Sequence, residues 1–253
     1  MTTPVFAAAQ CTVRAGDLAD NIHRHLVFMR AAQRHGVHCL VFPELSLTGY
    51  ELDLADGLAQ TPGTPLLAPL RACAQEAGMT TVVGLPLRAA GHDKPLIGAV
   101  VLHPDGRSGV HTKQHLHTGE DRYVDAGAGG ALLRVGDLSL ALAICADFGQ
   151  SGHAAAAAQA GAGLYAASVL VGNDGYPVDS ALLQGHARRH RMAVLMANHG
   201  GPTGEWTSAG RSAFWDEDGR LVAVVPGTGD RLLVVARTDK RWEGFVEPVD
   251  VDR

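Results

Sequence analysis

Long apolar runs are missing from this chain of 253 residues; none approaches the roughly 18 residues that a membrane-spanning helix requires. Met1 to Gln10 has no positively charged lead-in, and its apolar stretch is too short for a secretory signal, so a cytoplasmic location is expected. Cysteine is scarce. The four residues Cys11, Cys39, Cys73 and Cys145 lie far apart without a CxxC pair, which excludes a disulfide framework and leaves four thiols. Basic stripes are also absent: 21 Lys and Arg are scattered through a chain of net charge -5, so nucleic acid is not an expected partner. No Pro/Ser/Gly-rich linker divides the sequence, and one domain spanning 1–253 is expected. The glycine-rich pieces Gly127-Ala-Gly-Gly130 and Gly172-Asn-Asp-Gly175 match neither GxGxxG nor the Walker pattern and read as loops.

What is present is ample core material, 46% apolar residues against 19% charged, a balance that excludes disorder. Val5 to Gln10 reads as a buried strand. Leu18, Ile22, Leu26 and Met29 recur at helical spacing, with Gly36 as the stop, and Cys39 to Phe42 is a second short strand. Strand, helix and strand in this order predict a βαβ-type unit. Beyond it come a helix over Pro65–Ala77, a strand over Thr80–Leu85, and a hairpin of Ile97–Leu102 with Gly109–Thr112. A second hairpin joins Ala131–Val135 to Leu138–Ile144. An alanine-rich helix follows near Gly152–Ala160, then a strand near Leu164–Ser168, a helix over Asp179–Arg191 and a strand over Ala193–Ala197. Three short strands are expected between Gly210 and Ala236. Hairpins mixed with crossovers imply an α/β fold with mixed sheets and helices outside them.

In α/β folds ligands gather at the carboxyl ends of strands. Three apolar runs end in reactive side chains: Cys39–Phe42 leads to Pro43-Glu44, Val110-His-Thr leads to Lys113, and Leu138–Ile144 leads to Cys145-Ala-Asp147. A carboxylate, an ammonium and a thiol are the parts that covalent acyl transfer needs. The first takes the thiol proton, the second stabilises the developing anion and the third attacks. Cys11, Cys39 and Cys73 lie inside apolar segments and read as packing, whereas the chain leaves its strand directly after Cys145.

The segments Phe42-Pro-Glu-Leu-Ser-Leu-Thr-Gly-Tyr50, Lys113-Gln-His-Leu-His-Thr-Gly-Glu120 and Ala143-Ile-Cys-Ala-Asp147, with Met196-Ala-Asn198, Gly210-Arg-Ser212 and the Asp218-Gly219 turn, resemble the nitrilase superfamily of carbon–nitrogen hydrolases. The resemblance runs through nearly the whole chain, in order. It implies a four-layer α-β-β-α sandwich with two mixed β-sheets, commonly paired into a homodimer, with no metal or organic cofactor and a small amide-type molecule as substrate. It implies Glu44 as general base, Cys145 as nucleophile forming a thioester, and Lys113 with the backbone N–H of Ala146 as donors to the tetrahedral intermediate. Glu120 matches a second glutamate that supports these groups. Tyr50, Tyr123, Ser168 and Val169 are the candidate substrate contacts, from their places after the relevant strands.

The chain departs from the family pattern at the pocket wall. Phe148-Gly-Gln-Ser-Gly152 stands where many relatives carry an Arg-Phe-Pro-Glu-like stretch, and His186-Ala-Arg-Arg-His190 replaces a familiar Arg-Ala-x-Glu-Asn. Amide, carbamyl and nitrile substrates, and acyl transfer in place of hydrolysis, therefore stay open. Two other readings stand beside cysteine catalysis. The 13 histidines, among them His111, His115 and His117 and the i, i+4 pair His186 and His190, suggest a metal-dependent hydrolase. The glutamate of the zinc-protease motif is missing between that pair, however. The last reading is a non-catalytic binding module of the same ancestry.

Overall fold

The computed structural model describes residues 4–238 and 241–252. Its strands divide into two sheets. One has seven strands in the order β13-β12-β1-β2-β3-β4-β5, the other six in the order β11-β10-β9-β8-β7-β6. The first contains β1 (Val5–Gln10), β2 (Cys39–Val41), β3 (Thr80–Leu87), β4 (Leu96–Leu102), β5 (Ser108–Thr112), β12 (Arg231–Thr238) and β13 (Arg241–Pro248). The second contains β6 (Leu133–Val135), β7 (Leu138–Ile144), β8 (Leu164–Val169), β9 (Ala193–Asn198), β10 (Ala213–Trp215) and β11 (Leu221–Val224). Within each, a parallel trio sits at the centre, β1-β2-β3 in one and β7-β8-β9 in the other, and the flanking pairs are antiparallel.

Period-two alternation assigns each strand residue to one of three cores. On β1, Phe6 and Ala8 face the other sheet, while Ala7 and Ala9 face α1 (Leu18–Arg34) and α3 (Ala68–Ala77). On β8, Leu164 and Ala166 enter the middle core, and Tyr165, Ala167 and Val169 meet α4 (Ser151–Gln159) and α5 (Tyr176–His190). The layers are thus helices, sheet, sheet, helices, a mixed-sheet α-β-β-α sandwich. Strands buried on both faces need apolar side chains at every position, which is why the central ones read as unbroken apolar runs. Each of their leucines contributes on the order of 1.5–3 kcal/mol on burial. No helix among the described residues is long and apolar enough to cross a membrane.

The helices start and stop for local reasons. Asp17 accepts a hydrogen bond from the Asp20 N–H at the head of α1, and α3 ends at Gly78, whose φ of 63° needs a residue without Cβ. A short α2 (Ala55–Leu58) lies in the long connection after β2. Helix α5 begins at Tyr176, three residues before the expected Asp179, because Pro177 fits the first helical turn and extends it into the loop. Strand β13 was not foreseen. It is an edge strand whose outer face carries Arg241, Glu243 and Glu247 beside an exposed Phe245, so its apolar pattern is broken, and Trp242 carries its anchorage. The indole packs 4.7 Å from the Phe214 ring and 6.1 Å from Phe6, and its N–H donates to Glu217 at 2.9 Å.

Gly84 in β3 sets how closely the strand approaches the turn after β2. A Cβ there would stand 2.5 Å from the backbone N of Leu45 and 2.6 Å from the carbonyl O of Pro43. Gly84→Ala is therefore expected to displace the Pro43–Leu45 turn and cost about 1–3 kcal/mol. Thermal unfolding checks this: a melting temperature equal to that of the parent would mean that the turn yields freely.

Candidate active site

Three chain ends meet between the sheets. Glu44 follows β2, Lys113 follows β5, and Cys145 follows β7 as the first residue of a 3-10 turn, Cys145–Asp147. Leu45 (φ 51°) and Cys145 (φ 42°) both occupy the left-handed region, which a side chain with Cβ adopts only when its surroundings hold it there. Those surroundings are hydrogen bonds that cross the molecule. Ser168 Oγ on β8 donates to the Phe42 carbonyl at 2.8 Å, and His199 Nε2 donates to the Glu44 carbonyl at 2.7 Å. Asp147 Oδ2 accepts from the Ile144 N–H at 3.1 Å. Its Oδ1 accepts from the N–H groups of Gln114 at 3.1 Å and His115 at 2.8 Å. One carboxylate thereby ties the cysteine turn to the segment leaving Lys113.

The charged side chains are fully enclosed. Lys113 Nζ donates to Glu44 Oε1 and to Glu120 Oε1, each at 2.7 Å, with side-chain exposures of 0–1% for all three. Glu120, in the turn Glu120–Arg122, accepts further from the Tyr50 hydroxyl at 2.5 Å and from the His117 N–H at 2.6 Å. Burial pushes the Glu44 carboxyl up to about 7, with the Glu120 charge adding and Lys113 opposing. For Lys113 burial works to release the proton, but Glu44, Cys145 and Glu120 together hold the ammonium above its ordinary range. The Cys145 thiol is pushed up, by burial first and then by Glu44, against the pull of Lys113. His199 is driven down to about 4 by burial, so it is a neutral ring that carries its proton on Nε2 towards the Glu44 carbonyl. Glu44 Oε2 is buried without a hydrogen-bond partner, and Cys145 Sγ lies 3.6 Å from the Leu170 carbonyl.

Above these groups opens a cavity of about 870 Å³ whose lining includes Glu44, Tyr50, Cys145, Ala146, Phe148 and Trp206. Its size suits a small molecule. The structure brings Glu44, Lys113, Cys145, Glu120, Tyr50 and Ala146 together but not the other expected contacts. Tyr123 is 38% exposed and outside the lining, because the turn that buries Glu120 directs it away. Ser168 and Val169 do not line the cavity either. Ser168 is spent on the inter-sheet bond to Phe42, and Val169 faces the α4/α5 core. The wall is instead Leu170 to Gly175. It is pinned by Asn198, whose amide donates to the Val171 and Gly210 carbonyls and whose oxygen accepts from the Val171 N–H.

Sequence reading missed Asp147 and His199 as positioning groups and Trp206 as a pocket residue. Asp147 stood inside a quoted motif, but its partners were 32 and 33 residues away. Nothing in the local pattern marked His199 or Trp206. Of the clustered histidines only His117 reaches the cavity. His186 Nε2 donates to the Phe148 carbonyl at 2.8 Å, so the i, i+4 pair does not point at a shared ligand in the pocket.

Comparison with known proteins agrees with this architecture. The family model for carbon–nitrogen hydrolases matches residues 6–244. Among solved structures, an amidase from Nesterenkonia sp. AN1 superposes in several states. One shows covalent addition of the acetamide moiety of fluoroacetamide at its active-site cysteine, with a TM-score of 0.84, 24% identity, and coverage of 93% of this chain and 90% of that one. A second holds butyramide in a variant whose cysteine is replaced by alanine, with a TM-score of 0.84, 24% identity and coverage of 93% and 91%. A third, described as an amidase from the nitrilase superfamily, has a TM-score of 0.85 at 25% identity and coverage of 94% and 92%. With a family match spanning almost its whole length and a buried Glu–Lys cluster beside a strand-end cysteine, this chain belongs to the carbon–nitrogen hydrolase family.

Proposed function

We propose that the chain hydrolyses small carboxamides through a thioester on Cys145. The observation that carries the reading is the ammonium of Lys113 fixed 2.7 Å from Glu44, whose other oxygen is unpartnered, at the floor of a cavity that Cys145 also lines. In the first half-reaction Glu44 takes the thiol proton as sulfur bonds to the carbonyl carbon. Lys113 and the Ala146 N–H stabilise the oxyanion. The carbon–nitrogen bond then breaks, and Glu44 returns the proton to the departing ammonia. In the second half-reaction Glu44 takes a proton from water, the oxygen attacks the thioester, and the carboxylic acid leaves with the thiol restored. Glu120 and Tyr50 hold Lys113 in place without meeting the reacting atoms. The amidase bound to butyramide and acetamide-derived groups supports a short acyl chain. Conversion of carbamyl compounds and nitriles is the alternative within the same chemistry, and pairing of two copies is proposed on the family pattern alone.

The pocket wall adds a charge preference. Asp174, Asp179 and Glu205 line it, and among the described residues no Lys or Arg joins them, Lys113 lying beneath the wall in its pairing with Glu44 and Glu120. Trp206 offers an aromatic face, its ring 6.5 Å from that of Tyr50 and 5.6 Å from that of His117. Such a wall favours neutral or cationic acyl groups and repels anionic ones.

Three outcomes follow. Cys145→Ala should remain folded and lose at least about 10³-fold in kcat, with intact-protein mass spectrometry showing an acyl adduct on the parent only; hydrolysis retained in the variant would overturn the mechanism, and a parent that neither turns over nor forms an adduct would turn attention to a binding module. Because Glu44 serves only as a carboxylate and sits at about 7, kcat/KM should fall below neutral pH with an acid limb near that value. A limb near pH 4 would exclude Glu44 as the base. Finally, an amide bearing a distal carboxylate should react roughly tenfold or more slowly in kcat/KM than its neutral isostere, on Coulomb repulsion across the wall. Equal rates would remove the charge preference.

A further inference from the structure

Behind the cysteine turn, away from the cavity, His111 on β5, Asp147 and His153 on α4 place one ligand atom each within 4.8 Å of the others, the one such group among the described residues. None of the three lines the substrate cavity. His111 is only 5% exposed, yet neither of its ring nitrogens has a hydrogen-bond partner. A buried imidazole with both nitrogens idle is unusual, because burial without a partner is costly. Gly130 passes so close that a Cβ there would stand 3.0 Å from His111 Nδ1, so the chain leaves room for the ring and for little else on that side.

The neighbouring groups are arranged as supports. His153 Nδ1 lies 2.8 Å from the Tyr165 hydroxyl, which leaves Nε2 facing Asp147 Oδ2 at 4.0 Å, too far for a hydrogen bond. Asp147 Oδ1 is engaged by the His115 ring at 3.0 Å and by two backbone N–H groups, while Oδ2 accepts from the Ile144 N–H at 3.1 Å and is the oxygen nearer His153. A metal-binding histidine commonly gives its second nitrogen to such a partner, and bound carboxylates are oriented in the same way. A cleft of about 330 Å³ lined by His111, His153, Gln114 and Ala156 gives an ion a way in.

We infer that His111, Asp147 and His153 form a binding site for a single Zn²⁺-class transition-metal ion, separate from the catalytic groups. Two imidazoles and one carboxylate suit zinc and its neighbours and disfavour calcium or magnesium. Bonds of about 2.0–2.2 Å would draw the side chains slightly inward, with water as the fourth ligand. The ion would join β5 and α4 through Asp147, the residue that holds the turn bearing Cys145.

Co²⁺ titration tests this, carried out in the full-length Cys145→Ala protein so that the active-site thiol cannot compete. One equivalent of Co²⁺ should produce visible d–d bands of tetrahedral intensity, displaced by Zn²⁺, and one equivalent of Zn²⁺ should raise the melting temperature by several degrees. His111→Gln and His153→Ala, each added to that background, should abolish the bands and the shift, with His153→Asn substituting if the alanine variant fails to fold. Bands absent at equimolar cobalt would overturn the site. So would stoichiometric binding that survives both substitutions, which would place the ion on surface histidines. Neither readout depends on amide turnover, so failure here leaves the amidase reading standing.

Discussion

An ammonium ion with no exposure to water must be paired, and Lys113 is paired twice. Stripping such a group of hydration costs several kcal/mol, and only close opposite charge with well-placed hydrogen bonds compensates. Glu44 and Glu120 supply that charge, but two carboxylates around one ammonium leave an excess negative charge of their own. The consequences spread outward from there. Tyr50 and the His117 N–H donate to Glu120, which confines that charge. The excess weighs on Glu44, which burial has already lifted to neutrality. It weighs on Cys145 as well, keeping the sulfur protonated.

Such a cluster demands positional accuracy from three segments that are remote in sequence. The fold provides it by placing two parallel trios face to face. Glu44 leaves one trio and Cys145 the other, and Lys113 arrives from the antiparallel margin of the first sheet. Parallel strands alone would bring the ends into the same region without fixing them to the ångström. The bonds from Ser168 to Phe42, His199 to Glu44, and Asp147 to Gln114 and His115 do the fixing. All three are buried polar side chains, for which an unmade hydrogen bond is expensive. Positive φ at Leu45 and Cys145 is tolerable only inside that frame.

How much of this could be read beforehand follows from the range of each signal. Strand and helix identity are local, and the central strands announced themselves because both faces are apolar. Strand β13 did not, since an edge strand with Arg241, Glu243 and Glu247 outward shows little alternation. Glu44, Lys113 and Cys145 were visible as reactive residues at the ends of apolar runs, a topological cue that sequence carries. The pocket wall was misplaced by one or two residues because the end of a strand gives its position but not the direction of the next side chain. Ser168 and Val169 are still within β8, and the wall begins at Leu170, where the chain turns out. Tyr50 and Tyr123 looked alike from sequence. Only the burial of Glu120 separates them, because the first donates to it and the second is left at the surface. The proximity of His111 to His153 spans two elements and had no local trace.

The raised thiol of Cys145 bears on how the nucleophile is made. Many reactive cysteines are activated by a lowered pKa, so that thiolate exists before substrate arrives. Here the ordering is reversed. Lys113 favours the thiolate, but burial and Glu44 outweigh it. Ionising the sulfur alone would put a second negative charge beside Glu44. Moving the proton onto Glu44 leaves the net charge unchanged, and a carboxyl poised near 7 can accept it. In the proposed mechanism, proton transfer is favourable only when the new charge on sulfur passes to the carbonyl oxygen, where Lys113 and the Ala146 N–H would meet it. On that proposal attack and deprotonation are coupled by electrostatics, with a bound carbonyl completing the circuit. The neutral thiol is the form of cysteine least prone to oxidation, so on the proposed mechanism the buried cluster that assists acyl transfer would also shield its nucleophile between turnovers.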